Sequence, residues 1–110
     1  MSNFEKLKTF EPLPASLTIK ESSIHGIGLF AKEDILPNTE LGISHVKNER
    51  FPHGYIRTPL GGFFNHSKTP NCKAIYDGDY IKLKTIKHIY LNEEITVDYS
   101  KHNWIKKDEK

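Results

Sequence analysis

Asn65, His66, Pro70 and Asn71 fall together in the stretch GGFFNHSKTPNC, residues 61 to 72. Loops collect Asn, Ser and Pro for turn chemistry, so these residue types alone do not make a site. Phe63 and Phe64 sharpen the case, because they put the polar atoms of Asn65 and His66 at the edge of an apolar pocket, where such groups need partners. The partners are either neighbouring backbone groups or a ligand with an amino group or a purine edge. A second stretch, HGIGLF at residues 25 to 30, sets Gly26 and Gly28 around Ile27 and lets the backbone approach a ligand closely, although a plain turn uses the same residues. It lacks the third glycine and the following helix of a dinucleotide-binding fingerprint. In EEITVDYS, residues 93 to 100, Tyr99 is either a packed structural tyrosine or a hydroxyl serving a site. Glu93 and Glu94 read as a solvated turn rather than an acid/base pair, since adjacent strand residues point to opposite faces. Trp104 is either a surface residue or a platform for a flat ring. His66 with Cys72 lacks the two further ligands of a zinc site, and neither CxxC nor HExxH occurs, so no metal is expected.

The elements that must position these residues are short. Leu17 and Ile19 alternate with polar neighbours in SLTIKES, which predicts a half-buried strand, and the glycines of HGIGLFA mark a tight bend before another apolar run. Pro37-Asn38 signals a turn ahead of a strand over residues 40 to 46. KNERFPHGYIRTPLGG, rich in Pro and Gly, reads as a loop or a brief helical insertion. AIYDGDYIKLKTI predicts a hairpin around Asp77-Gly78, and a turn at Leu91-Asn92-Glu93 precedes a strand with Ile95, Val97 and Tyr99 on one face. No long amphipathic helix and no internal repeat occurs. The expected fold is mainly β, with short strands in small sheets joined by irregular loops.

At 110 residues the chain suits one domain with a modest core. The expected division is an N-terminal arm at 1–16, an ordered domain at 17–104 and a charged tail at 105–110. Sixteen basic against fourteen acidic residues leave a formal charge of +2, with no basic stripe interleaved with aromatics, so no nucleic-acid site is expected. One cysteine excludes an intramolecular disulfide framework, and no segment has the apolar length of a signal peptide or a bilayer span. A soluble, intracellular protein is the expectation.

Taken in order, HGIGLFA, FFNHSKTPNC and EEITVDYS resemble the SET-domain family of protein-lysine methyltransferases, over about Leu17 to Trp104. The short middle segment is most similar to the compact stand-alone members found in viruses and some microbes. The resemblance implies small β-sheets with a C-terminal pseudoknot that joins the NHS segment to the closing motif. It implies S-adenosylmethionine as cofactor and S-adenosylhomocysteine as product. His25, Gly26, Ile27 and Gly28 would cradle the methionine part, Asn65 and His66 would hold the amino and adenine groups, and Trp104 would cover the adenine. Tyr99 would be the catalytic residue, orienting methyl donor and amine. Ser44 and Ala74 stand where other members often carry aromatic residues of the lysine channel, with Tyr55 and Tyr76 as compensating residues. Cys72 occupies a zinc-ligand position of other members, without the downstream cysteines.

The implied activity is transfer of a methyl group to the ε-amine of an exposed lysine in a protein or peptide, a histone tail being one option. The reaction is an in-line displacement by a neutral amine, so alignment is what the protein must supply. A poorly solvated channel beside a sulfonium lowers the lysine pKa by desolvation and like-charge repulsion. A catalytically inactive module of the same fold that binds protein or cofactor is the alternative, and a purely structural β domain is a third. Pairing of two such small domains is compatible with the size of the chain.

Overall fold

The computed structural model describes residues 13–51 and 54–101, so the segment before Leu13 and the tail with Trp104 lie outside it. Among the described residues eight strands are formed: β1 (Leu17–Glu21), β2 (Ile27–Ala31), β3 (Glu40–Lys47), β4 (Tyr55–Arg57), β5 (Asn65–His66), β6 (Cys72–Asp77), β7 (Tyr80–Thr85) and β8 (Thr96–Val97). A single helical turn, α1 (Pro59–Gly62), precedes β5, and a 3-10 turn spans Tyr99–Lys101. The mainly β expectation holds, with a four-stranded sheet in the order β4-β3-β7-β6 and two two-stranded sheets, β1-β2 and β5-β8. No helix among the described residues is long and apolar enough to cross a membrane.

Alternation is cleanest in β7. In β7, Ile81, Leu83 and Thr85 are buried while Lys82 and Lys84 point outward, the period-2 pattern of a sheet with one covered face. β6 and β7 pair from Cys72↔Thr85 to Asp77↔Tyr80, which puts the two-residue turn at Gly78-Asp79 with Gly78 at φ +61°. The hairpin is the expected one, with its turn one residue later than Asp77-Gly78. The core gathers Leu29, Leu60, Phe64, Leu83, Ile89, Ile95 and Val97, and Leu13, at the end of the expected arm, packs against it.

Two elements differ from expectation. The 47–62 region contains α1, the brief helix anticipated, and also strand β4, which is short because Pro59 lacks the N–H to extend a ladder. The strand expected through Tyr99 ends at Val97. Its backbone turns because the Asp98 carboxylate accepts from the backbone N–H and the hydroxyl of Ser100, at 3.0 and 2.6 Å, so a local side-chain bond replaces the ladder.

The motif-bearing segments lie side by side. β5 pairs with β8 in parallel, Asn65↔Thr96 and His66↔Val97, while Ile95 N–H donates to Leu29 O of β2 and Ala31 N–H donates to Glu93 O. Residues 93–97 are thereby held between β2 and β5. Asn71 secures this segment as a strand would: its Nδ2 donates to Glu94 O at 2.8 Å and its Oδ1 accepts from Thr96 N–H at 2.9 Å.

Candidate active site

A cavity of about 260 Å³ opens where these segments meet. His25 and Ile27 enter from the start of β2, His45 from β3, Arg57 from β4, Phe63 and Phe64 from the turn after α1, Asn65 from β5, and Tyr99 from the 3-10 turn. Its walls combine the rings of Phe63, Phe64 and Tyr99 and the Ile27 side chain with polar groups of His25, His45, Arg57 and Asn65, and most of the surface that they expose to the cavity is polar.

Asn65 is only 8% exposed. Its Nδ2 lies 2.7 Å from Glu94 Oε2, 3.2 Å from Ser22 Oγ and 3.2 Å from His25 O, three acceptors that fix the amide's orientation. The amide oxygen makes no bond to the described residues and is left as an acceptor. Ser22 is the hub behind this arrangement. Its hydroxyl donates to Glu94, 2.8 and 2.9 Å from the two carboxylate oxygens, and accepts from Ile24 N–H at 2.9 Å and His25 N–H at 3.3 Å. The loop between β1 and β2, with Gly26 in the left-handed region at φ +52°, is thus tied to β5 through one carboxylate.

Glu94 corrects the expectation of a solvated Glu93-Glu94 turn. Glu93 does behave as a turn residue, its carboxylate accepting from Tyr90 N–H at 2.7 Å. Glu94 instead turns inward, because the backbone bridge Phe30↔Glu94 aligns it with β2. Gly28 is the residue that admits it: a Cβ there would overlap the Glu94 carboxylate.

Tyr99 donates its hydroxyl hydrogen to Phe64 O at 2.9 Å. Its N–H donates to His66 Nδ1 at 2.9 Å, which puts the ring proton of His66 on Nε2, and the two rings pack at 5.1 Å. Phe64 meets the Tyr99 ring edge-on at 6.1 Å. His66 therefore buttresses Tyr99 rather than lining the cavity.

On the opposite wall, His45 is 2% exposed. Its Nδ1 lies 2.9 Å from Ser44 Oγ, and Ser44 gives its own hydrogen to Ile81 O, so His45 donates from Nδ1 and is the neutral Nδ1–H tautomer. Burial, reinforced by the Arg57 cation, lowers its pKa to about 4.

The residues expected to form a lysine channel are not brought together. Ser44 is fully buried and bonds to β7. The β3–β7 register shifts between Ile43 and His45, and this bulge turns Ser44 into the core and gives its neighbour His45 to the cavity. Tyr55 stands behind His45, with ring centroids 6.2 Å apart. Ala74 and Tyr76 lie on β6, at the sheet edge remote from β4. Cys72 is buried in the core, which raises its thiol pKa to about 12, and no cluster of His, Cys, Asp or Glu among the described residues could hold a metal ion. Ser22, His45 and Arg57 were not singled out from the sequence, in which Glu94 reads only as a turn residue. Only His45, a lone histidine in an otherwise β-prone run, left a signal there.

A family model described as the SET domain matches residues 44–100, more than half of the chain. Among solved structures, the chain is similar to a candidate histone methyltransferase of Plasmodium falciparum, with a TM-score of 0.65, 22% identity, and coverage of 79% of this chain and 95% of that one. It is also similar to the methyltransferase domain of human PR domain-containing protein 2, with a TM-score of 0.62, 18% identity and 77% coverage of both chains. No curated protein sequence matches it.

Proposed function

The chain belongs to the SET-domain family, and from that premise we propose that it is a protein-lysine N-methyltransferase that uses S-adenosylmethionine. The observation that carries the reading is the convergence of His25 and Ile27, Asn65 and Tyr99 on one cavity, from three separate stretches of the chain. The donor set fits the cofactor. Asn65 keeps its amide oxygen as an acceptor for an ammonium, and Ile27, 53% exposed, offers an apolar surface at the cavity to the methionine part. When bound, S-adenosylmethionine supplies a methyl group on a positively charged sulfonium.

The chain's own residues supply alignment and dehydration. Phe63 and Phe64 line the cavity beside Tyr99, and the desolvation an entering amine meets against these rings favours its neutral form. Tyr99, its hydrogen engaged by Phe64 O and its ring held by His66, presents oxygen lone pairs in one direction and can accept weak C–H bonds from a polarised methyl group. His45 adds no second cation, because burial keeps it neutral near physiological pH.

Incubation of the protein with radiolabelled S-adenosylmethionine and mixed cellular proteins tests the proposal, with Tyr99→Phe in parallel. Label transfer to lysine that the variant loses supports it. Cofactor binding without transfer to any protein points to a binding module, and no calorimetric signal with the cofactor points to a structural domain; either overturns the proposal.

A further inference from the structure

We propose that Ser22 is a positioning residue for the cofactor, holding the loop between β1 and β2 in the shape that receives it; the inference rests on the methyltransferase reading. Residues 23 to 27 are all exposed, so burial of their side chains does not fix the loop, and its shape depends on hydrogen bonds. Ser22 supplies several of them. Its N–H donates to Gly26 O at 2.8 Å and closes the base of the loop, while its hydroxyl oxygen accepts from Ile24 N–H at 2.9 Å and His25 N–H at 3.3 Å. The same hydroxyl gives its hydrogen to Glu94, which ties the loop to the segment held between β2 and β5. Position 28 makes that meeting possible, because a Cβ on Gly28 would overlap the Glu94 carboxylate and press on the Ser22 Cβ. A hydroxyl suits the place. It donates to the carboxylate and accepts from the two amides at once, which alanine cannot do and aspartate could do only against the charge of Glu94.

The loop carries two groups of the cavity. His25 and Ile27 line it, and His25 O accepts from Asn65 Nδ2 at 3.2 Å, so the backbone that Ser22 fixes also helps to orient the amide whose oxygen is offered to the cofactor's ammonium. Without the hydroxyl, water can satisfy the exposed Ile24 and His25 N–H groups; the fold survives, but the loop samples other shapes and the cofactor must select the competent one. Affinity then falls with the competent fraction. The transfer step is held elsewhere: the Tyr99 hydroxyl is engaged by Phe64 O and the Tyr99 N–H by His66, and neither contact runs through Ser22. The signature of Ser22 is therefore a loss of cofactor affinity with the saturated rate kept.

Calorimetry with S-adenosylmethionine and S-adenosylhomocysteine, and labelling of mixed cellular proteins over a range of cofactor concentrations, read the two quantities separately. Ser22→Ala should raise Kd and the half-saturating cofactor concentration about fivefold, while the saturated rate changes by less than about twofold. Ser22→Thr, which keeps the hydroxyl, should restore affinity to within about twofold of the wild type. Hydrogen exchange followed by mass spectrometry adds a reading independent of turnover: the Ile24 and His25 amides should exchange faster in the free Ala variant than in the wild type, and cofactor should restore their protection. Wild-type affinity and wild-type exchange in Ser22→Ala overturn the inference and leave the methyltransferase reading intact. An Ala variant with a lowered Tm and equal losses of affinity and saturated rate, unrepaired in Ser22→Thr, makes the serine purely structural and overturns it as well. A wild type that gives no heat with either compound removes the methyltransferase reading, and the inference falls with it.

Discussion

Glu94 is the group whose removal should reveal how the site is held together. In the folded protein its carboxylate accepts from Asn65 Nδ2 at 2.7 Å and from the Ser22 hydroxyl at 2.8 Å, and these contacts join residues 22, 65 and 94 across the chain. Hydrogen bonds to a charged group contribute about 1.5–3 kcal/mol each. Here the two share one acceptor in a half-buried network and are not additive, so Glu94→Ala should cost about 3 kcal/mol in total. For a domain of this size each kcal/mol moves Tm by about 4 °C, giving a fall of about 12 °C. Glu94→Gln keeps a carbonyl oxygen for Asn65 and loses the charge assistance, a difference of about 1 kcal/mol and so about 4 °C. Calorimetric titration with S-adenosylmethionine provides the second reading, because Asn65 loses the acceptor that orients its amide; affinity should fall about tenfold in the Ala variant and less in the Gln variant. Thermal melts by circular dichroism complete the test. An Ala variant that melts with the wild type and binds the cofactor equally well would refute the reasoning.

Three other outcomes are expected. Asn71→Ala leaves Glu94 O and Thr96 N–H without their partner and should lower unfolding stability by about 2–4 kcal/mol, read from the urea midpoint; an unchanged midpoint counts against its role as a substitute strand. His45 has a folded pKa of about 4, below its ordinary 6.5, so its contribution is present above pH 6.5 and is lost as pH falls towards 4, by up to about 3 kcal/mol. Urea titrations of wild type and His45→Gln at neutral pH and near pH 4 check this, and parallel pH profiles would contradict it. Cys72, buried with its pKa pushed up to about 12, should resist maleimide until the protein unfolds, and rapid labelling of the native protein would show that the core opens there.

Much of the scaffold is legible in local pattern. The existence of strands β1, β3 and β7, the alternation of β7, the glycine-containing hairpin turn and the turns at Asn38 and Asn92, both with positive φ, follow from side-chain period and turn chemistry between near neighbours, whereas Ile19 of β1, expected on the covered face with Leu17, is exposed. The bulge at Ser44 is not legible, because it is settled by how β3 fits β7 and by the packing of Gly61 against the Ser44 carbonyl, which leaves no room for a Cβ. That single extra residue exchanges Ser44 for His45 at the cavity wall.

The amino-acid sequence by itself determined which stretches could serve a site and which elements carry them: HGIG at a bend, FFNH after an apolar pair, and DYS at a strand end, within a β-rich domain. Tertiary structure decided how they act. Ser22 and Glu94 are 72 residues apart and bonded, and Glu94 has room to turn inward only because position 28 is glycine. Contacts of that span depend on strand register and on space left by other side chains, quantities that no local period encodes. The same cause makes Tyr99 a 3-10 residue buttressed by His66 and brings Arg57, from a strand the sequence pattern concealed, into the cavity lining.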